Sequence, residues 1–348
     1  MKRSMYQLIL IALSVSAILI NGCTNETPIN PTIDDPETTK TQLPNIEPSV
    51  MPTTDMSNPE EATITPTQLV NTSNIQLSFV SDRSGNSAIY SMDVDCWDSD
   101  VICFGEPVML MEWNKRISEL DWSPNGERVV FASDGNLYMS EWNGSNIFKI
   151  PSDPGSESFP QWSTDGSKIA YIFGSDIDPG QIRIFDIETG QTIRILENVF
   201  DPSRVLWLDG DILAYIATDP KTATNIIIVG KPDGTIIQQM PENASDFLAI
   251  FGLDFSPDGS NLTFVGEIQL GEPDIYVIDE TKSVVNITKG KGINLGPVWS
   301  PKGNWIAFQS MRDGNYQIYI AEIGSTYLQQ VTQPPSQNTD PSWRYITN

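Results

Sequence analysis

The stretch LDWSPNGERVVFASDGNLYMSEWNG, residues 120–144, holds a tryptophan, a tight turn, an apolar run, a second turn and another run. Ser123-Pro124-Asn125-Gly126 suits a type I turn, because proline presets φ at the second position and glycine tolerates positive φ at the fourth. The segment ERVVFAS (Glu127–Ser133) is rich in β-branched and aromatic side chains. After the Asp134-Gly135-Asn136 turn, Leu137–Trp142 alternates apolar and polar residues. Together these predict a meander of short antiparallel strands. A lone meander cannot cover its own faces, so it needs neighbours.

The neighbours recur along the chain. FPQWSTDGSKIAYIF begins at Phe159, GLDFSPDGSNLTFVG at Gly252, GPVWSPKGNWIAFQS at Gly296, and a weaker copy, SRVLWLDGDILAYIA, at Ser203. The anchoring aromatics Trp122, Trp162, Trp207, Phe255, Trp299 and Trp343 are 40, 45, 48, 44 and 44 residues apart. A period in this range with about four strands per copy predicts a β-propeller. The two ends complement each other. IQLSFVSDRSGNSAIYSMDVD, from Ile75, lacks the opening strand of a repeat, and DPSWRYITN, from Asp340, supplies only that strand. The expected fold is therefore all-β: a six-bladed propeller closed by the C-terminal strand pairing into the first blade, which removes exposed sheet ends.

SDRSGNSAIYSMDVD (Ser81–Asp95) and MRDGNYQIYIAEI (Met311–Ile323), each in a blade bearing the W-S-P-x-G type of turn, resemble the TolB-like family of six-bladed, WD-like repeat propellers. The resemblance covers residues 75–348. It implies a propeller that meets other proteins of the bacterial envelope, as TolB's own propeller meets the peptidoglycan-associated lipoprotein. This chain departs from that pattern by having no N-terminal α/β domain before the propeller and by carrying an anchor signal of its own.

That signal occupies residues 1–22. Lys2 and Arg3 precede an apolar stretch from Leu8 to Ile20, whose last residue opens Ile-Asn-Gly-Cys, the pattern of bacterial export. Gly22 before Cys23 resembles a lipobox, which makes Cys23 the expected acylated residue. The alternative is a transmembrane anchor, for which the apolar stretch falls short of the ~20 residues a spanning helix needs. Residues 23–74 read as a disordered linker: positions 24–73 hold eight prolines and twelve threonines but no aromatic and no glycine. The propeller, residues 75–348, is thus expected outside the cytoplasm, held to the cell envelope by lipid alone.

Net charge is −25, which disfavours nucleic acid and anionic lipid headgroups as direct partners. The excess serves either solubility or attraction to cations and basic proteins. Cys96 and Cys103, in CWDSDVIC, suggest a disulfide stapling an insertion in the first blade, against the alternative of two free buried thiols. The chain has no histidine, which excludes Ser-His-Asp and Cys-His catalysis and most transition-metal sites. The sequence stops on the closing strand, so no hydrolase domain is expected beyond it. Carboxylate-only glycoside hydrolysis survives this test, but no acid pair stands out. Ser256-Pro257-Asp258-Gly259 places its glycine too early for a sialidase Asp-box. Asp93, Asp95, Asp98 and Asp100 offer alternating oxygens to Ca²⁺ without the glycine and glutamate of an EF-hand loop; a solvated acidic loop is the other reading, and no cofactor is expected.

Binding is expected on the face that gathers the loops between second and third strands and the blade-to-blade connections. The candidates are Asp82, Arg83, Asp176, Asp178, Arg204, Glu272, Arg312 and Asp313 from the former, and Phe159, Phe251 and Asp340 from the latter. Exposed arginines and aromatics there are typical interface anchors, although Arg83 and Arg312 recur in the repeat and suit salt bridges between blades. The function read from these features is a non-catalytic, monomeric scaffold binding envelope proteins. A receptor for glycans or peptides is the alternative, and a carboxylate-dependent hydrolase stands third.

Overall fold

The computed structural model describes residues 62–63, 75–98, 101–175, 178–196, 201–219, 222–240 and 247–346. The signal segment, Cys23 and most of the linker lie outside the described residues. All regular structure within them is β-strand, arranged in six antiparallel sheets.

Each sheet is one blade, ordered from the innermost strand outward. Blade 2 consists of Ser118–Trp122, Arg128–Ser133, Asn136–Glu141 and Phe148–Lys149. Blade 3 consists of Ser156–Trp162, Lys168–Ser175, Asp178–Asp186 and Gln191–Leu196. Blade 4 uses Arg204–Leu208, Ile212–Thr218, Asn225–Gly230 and Ile236–Met240. Blade 5 uses Ala249–Phe255, Leu262–Glu267, Pro273–Ile278 and Val284–Asn286. Blade 6 uses Asn294–Trp299, Trp305–Ser310, Gln317–Glu322 and Leu328–Gln330.

Blade 1 joins the two ends of the domain. Its innermost strand, Asn338–Tyr345, pairs with Ile75–Ser81 in a register that sets Trp343 opposite Leu77. Ser87–Asp98 and Val108–Trp113 follow outward. Within the stretch expected to be linker, Ala62–Thr63 is described, and it pairs with Trp113 and Glu112 on the outer edge of this blade. Ser87–Asp98 is longer than its counterparts, and its far end pairs with Val101–Phe104 so that Cys96 stands directly across from Cys103.

The turn chemistry is the one that the sequence dictates. In the hairpins after the anchoring aromatics, Gly126, Gly166, Gly259 and Gly303 donate their N–H to the carbonyls of Ser123, Ser163, Ser256 and Ser300 at 2.7–2.9 Å. The third residue closes the turn from the side. Asp258 accepts from Ser256 Oγ, Ser260 N and Ser260 Oγ, and Asp165 does the same with Ser163 and Ser167. These hydrogen bonds hold both exposed carboxyls down at about 2. Ser256-Pro257-Asp258-Gly259 is accordingly a turn built by the repeat.

Strand alternation puts apolar side chains on both faces of every sheet, and each face meets the next blade. The buried apolar residues fall into six clusters, one at each junction of neighbouring blades. The junction of blades 6 and 1 is as well filled as the rest: Trp305, Ala307 and Ile318 pack with Leu77, Phe79 and Ala88, all essentially inaccessible. The ring is therefore closed by packing as well as by strand pairing.

Arg344, near the end of the closing strand, ties blade 1 to blade 2. Its Nε donates to Gly126 O at 2.8 Å and its Nη1 to Gln76 Oε1 at 3.0 Å, while the guanidinium lies over the rings of Trp122 and Trp142. Burial brings its pKa down to about 10, so it remains cationic at neutral pH. Gly126 sits so close that an added Cβ would stand 1.5 Å from Tyr345 O. Replacing Arg344 by alanine removes two charge-assisted hydrogen bonds and a desolvated cation–π contact. The expected loss is about 2–4 kcal/mol of stability, to be measured by urea unfolding. Deleting residues 338–348 should abolish the cooperative transition, and an unchanged melting curve would refute closure as the source of stability.

Candidate functional site: the mouth of the central channel

One cavity of about 160 Å³ is bordered by residues from the innermost strands of all six blades, among them Asp121, Gln161, Arg204, Asp254, Val298 and Asp340. What shapes its mouth is a backbone irregularity three residues before the anchoring aromatic. There Glu119, Phe159, Gly252, Gly296 and Asp340 adopt left-handed φ values of 56°, 51°, 61°, 59° and 51°. At each the pairing with the second strand shifts register. Such a bulge re-aims a side chain and bends its strand. Blade 4 alone keeps a regular register, and Arg204 occupies the corresponding position.

The bulged residues are tied to one another. Gln309 Oε1 accepts the N–H of Asp340 at 2.7 Å, Asp340 Oδ1 accepts that of Glu119 at 3.2 Å, and Glu119 Oε2 accepts that of Phe159 at 2.7 Å. Each acceptor belongs to the blade before its donor, so a chain of hydrogen bonds runs from blade 6 to blade 3. A second tier lies one residue before the aromatics. Asp121 Oδ2 accepts Gln161 Nε2 at 2.7 Å and Trp162 N at 2.8 Å, and Asp254 Oδ2 accepts Trp299 N at 2.6 Å. Asp121 thus clasps blade 2 to blade 3, and Asp254 clasps blade 5 to blade 6.

Burial pushes Glu119, Asp121 and Asp254 up to about 7 despite the backbone N–H groups they accept, and raises Asp340 as well. Arg204 offsets part of that rise at all four, joined by Arg116 at Glu119 and Asp340. Its guanidinium lies 5.5 Å from the Phe159 ring centre, and its Nε is buried without a hydrogen-bond partner.

Residues 242–346 match the family described as the TolB beta propeller domain. The solved structure of TolB from Acinetobacter baumannii superposes with a TM-score of 0.65 at 14% identity, over 77% of this chain and 66% of that one. The domain has the fold of a TolB-like propeller. Among curated proteins, the chain is similar to an uncharacterized protein of Agrobacterium fabrum, Atu1656, 26% identical over 61% of this chain and 57% of the relative. It is also similar to the uncharacterized peptidase YuxL of Bacillus subtilis, at 24% over 53% of this chain and 26% of that protein. The Tol-Pal system protein TolB of Francisella tularensis is 24% identical over 68% of this chain and 58% of its own length. The chain thus spans little more than half of two of these relatives and about a quarter of the other.

The TolB-like propeller brings some of the sequence candidates together and separates others. Phe159, Arg204 and Asp340 meet at the channel mouth, as members of the innermost strands rather than of loops: bulges let the strands of Phe159 and Asp340 run on past the mouth, and the regular strand of blade 4 opens at Arg204. Phe251 lies in the innermost strand of blade 5, beside Gly252. Among the described residues, Arg83 and Arg312 make no salt bridge between blades. Arg83 stacks on Phe79 and Tyr90 and bonds Ser81 Oγ and Asn338 Oδ1; Arg312 stacks on Phe308 and Tyr319 and bonds Ser310 Oγ and Asn294 Oδ1. All these partners belong to the arginine's own blade.

Asp82 accepts Gln337 N, Asp313 bonds the Tyr319 hydroxyl, and Glu272 accepts Gln269 Nε2, so each fastens a loop. Asp176 lies outside the described residues, and Asp178 opens the third strand of blade 3. Asp93 accepts Gln76 Nε2 at 2.8 Å. Among the described residues no group of three or more acidic, cysteine or histidine side chains is placed to hold a metal; the side chains of Asp95, Asp98 and Asp100 fall outside them. Sequence reasoning passed over Glu119, Asp121 and Asp254. The legible signal was the repeated Leu-Asp-aromatic at 120–122 and 253–255.

Because these carboxyls titrate higher in the folded protein than the ~4 of an unfolded chain, the native state holds more protons between about pH 4 and pH 7. Stability should therefore rise as pH falls from about 8 to about 5. Asp121→Asn combined with Asp254→Asn should flatten that slope in thermal melts across the range. An undiminished slope in the double variant would show that the channel carboxyls are not its source.

Proposed function

We propose that this TolB-like propeller is a non-catalytic binding scaffold of the bacterial cell envelope, presenting its channel mouth and surrounding loops to protein partners. The observation that carries the reading is the contrast between frame and contents at the mouth. Six equivalent strands deliver Glu119, Phe159, Arg204, Gly252, Gly296 and Asp340 to one rim. A repeated frame that holds dissimilar side chains in fixed places is suited to recognition. The Tol-Pal system name carried by the Francisella tularensis relative supports an envelope role. The signal segment and Cys23 support export and lipid attachment, with the propeller held outside the cytoplasm on residues 24–74.

The peptidase name of the Bacillus subtilis relative and the raised carboxyls invite a hydrolase reading. General acid catalysis does call for a carboxyl poised near 7. Here, however, Glu119, Asp121, Asp254 and Asp340 each accept a backbone N–H of the following blade, which commits them to holding the ring. The binding reading is therefore preferred.

The same reading includes a Cys96–Cys103 disulfide. Opposed residues of an antiparallel pair have Cα atoms roughly 4.5–5.5 Å apart, within the range that a disulfide spans. Thiol titration of the unfolded, unreduced propeller (residues 75–348) should find no free cysteine, and two free thiols would refute the staple.

The binding role is tested by pull-down from a native membrane extract with Phe159→Gly and Arg204→Glu variants. Glycine already occupies the equivalent left-handed position at 252 and 296, so the backbone accepts Phe159→Gly, although the ring's packing on the core between blades 3 and 4 is lost; a cooperative thermal melt of each variant shows that it is folded before its retention is read. Loss of a retained protein in both variants is expected, about tenfold or more for an anchor at the centre of an interface. Retention unchanged in both would remove the channel mouth from the account.

A further inference from the structure

Hydrogen bonds across the blade junctions are unevenly distributed. Acids placed three residues or one residue before the anchoring aromatic accept backbone N–H groups of the following blade. Glu119 and Asp121 in this way join blade 2 to blade 3, Asp254 joins blade 5 to blade 6, and Asp340 joins blade 1 to blade 2. Gln309, in the second strand of blade 6, joins that blade to blade 1. Further bonds reinforce the same four junctions. Trp113 Nε1 donates to Ser133 Oγ at 3.0 Å and Leu137 N to Glu157 Oε2 at 3.0 Å. Asn294 Nδ2 donates to Asp274 Oδ1 at 3.1 Å and Trp343 Nε1 to Val298 O at 3.3 Å.

Blade 4 stands outside this circuit. At the two clasp positions blade 3 has Phe159 and Gln161, and blade 4 has Arg204 and Leu206. Phenylalanine, arginine and leucine side chains carry no acceptor, and Gln161 turns its amide to Asp121 in blade 2. Among the described residues no clasp of this kind therefore joins blade 4 to either neighbour. What crosses from blade 3 is the Arg204 guanidinium, 5.5 Å from the Phe159 ring centre, and the Lys168 ammonium, 5.9 Å from that of Trp207. The buried Nε of Arg204 lacks a hydrogen-bond partner, which adds a desolvation cost at the same junction. Between blades 4 and 5, Leu206, Ala214 and Ile216 pack against Ile250, Leu253 and Phe264. All six junctions have an apolar cluster of this kind, so the clasps are what distinguishes them. A carboxylate on a backbone N–H is among the stronger hydrogen bonds of a protein, and parts of a fold that lack such ties open at lower free energy than the whole.

We propose that blade 4 is a gate in the ring: it parts from its neighbours more readily than the clasped blades do, opening the channel sideways. On one side the opening separates Arg204 from Phe159, and on the other Leu206 from Leu253. The missing clasps are the cause. The proposal is independent of the binding role proposed above, since it concerns how the ring is held and not what meets its mouth.

The test is thiol labelling of cysteines buried one at a time in four junctions of the full chain, with the labelled site identified by peptide mass spectrometry. Ala132→Cys lies between blades 2 and 3, Ala170→Cys between 3 and 4, Ala214→Cys between 4 and 5, and Ala321→Cys between 5 and 6. Ala170 and Ala214 are 0% exposed and Ala132 and Ala321 4%, so static exposure favours the clasped junctions. Ala170→Cys and Ala214→Cys should nevertheless label faster, by about tenfold or more for the one or two charged hydrogen bonds that their junctions lack. Adding Asp254→Ala to Ala321→Cys should raise labelling there by a similar factor. If a cysteine abolishes the cooperative melt, Val130→Cys, Val205→Cys, Val229→Cys and Val277→Cys probe the same four junctions without adding volume. Equal rates at all four junctions, faster labelling at a clasped one, or no response to Asp254→Ala would each overturn the gate.

Discussion

A four-stranded sheet with apolar side chains on both faces cannot exist alone in water, and that constraint organises the whole domain. Every blade needs a neighbour on each side, and in a linear array the first and last would each leave a face uncovered. Closing the row into a ring solves this once. The junction of blades 6 and 1, filled by Trp305, Leu77 and Phe79, is where that solution is completed. Pairing of Asn338–Tyr345 with Ile75–Ser81 then makes a single blade from two segments more than two hundred and fifty residues apart. Arg344 locks that blade to the turn at Gly126 in the next.

The same constraint explains the channel. The innermost strands cannot pair with one another, so they meet through side chains and freed backbone groups. Asp121 and Asp254 satisfy N–H groups across two of those gaps, and Glu119 and Asp340 do so at the mouth. A carboxylate accepts such bonds more strongly than a neutral oxygen, and burial raises its pKa in return. Titration near neutrality is therefore a by-product of architecture here.

Much of the fold was legible in the sequence. The spacing of Trp122, Trp162, Trp207, Phe255, Trp299 and Trp343 gives the blade count, and the incomplete repeats at Ile75 and Asp340 give the closure. Strand alternation and the Ser-x-x-Gly turns are local properties, so sequence reports them well. The site was less legible. Phe159, Arg204 and Asp340 were picked out, but as loop residues; for Phe159 and Asp340 the reason is that a bulge with a left-handed non-glycine residue has no composition signal of its own. Glu119, Asp121 and Asp254 were lost among many carboxylates, since what matters about them is which N–H they reach in another blade. Arg83 and Arg312 resembled surface cations because their ring partners, Tyr90 and Tyr319, lie on the next strand.

The left-handed residues at the mouth carry one more implication. Glycine rests in that conformation without penalty, whereas a residue with a Cβ sits there at a cost of order 1 kcal/mol. Blades 5 and 6 keep glycine, and blades 2, 3 and 1 hold Glu119, Phe159 and Asp340 under that strain. The torus is thus relaxed on one side of its opening and conformationally loaded on the other. Any molecule that settles into the opening would meet an anisotropic rim, unstrained toward Gly252 and Gly296 and tensioned toward Phe159.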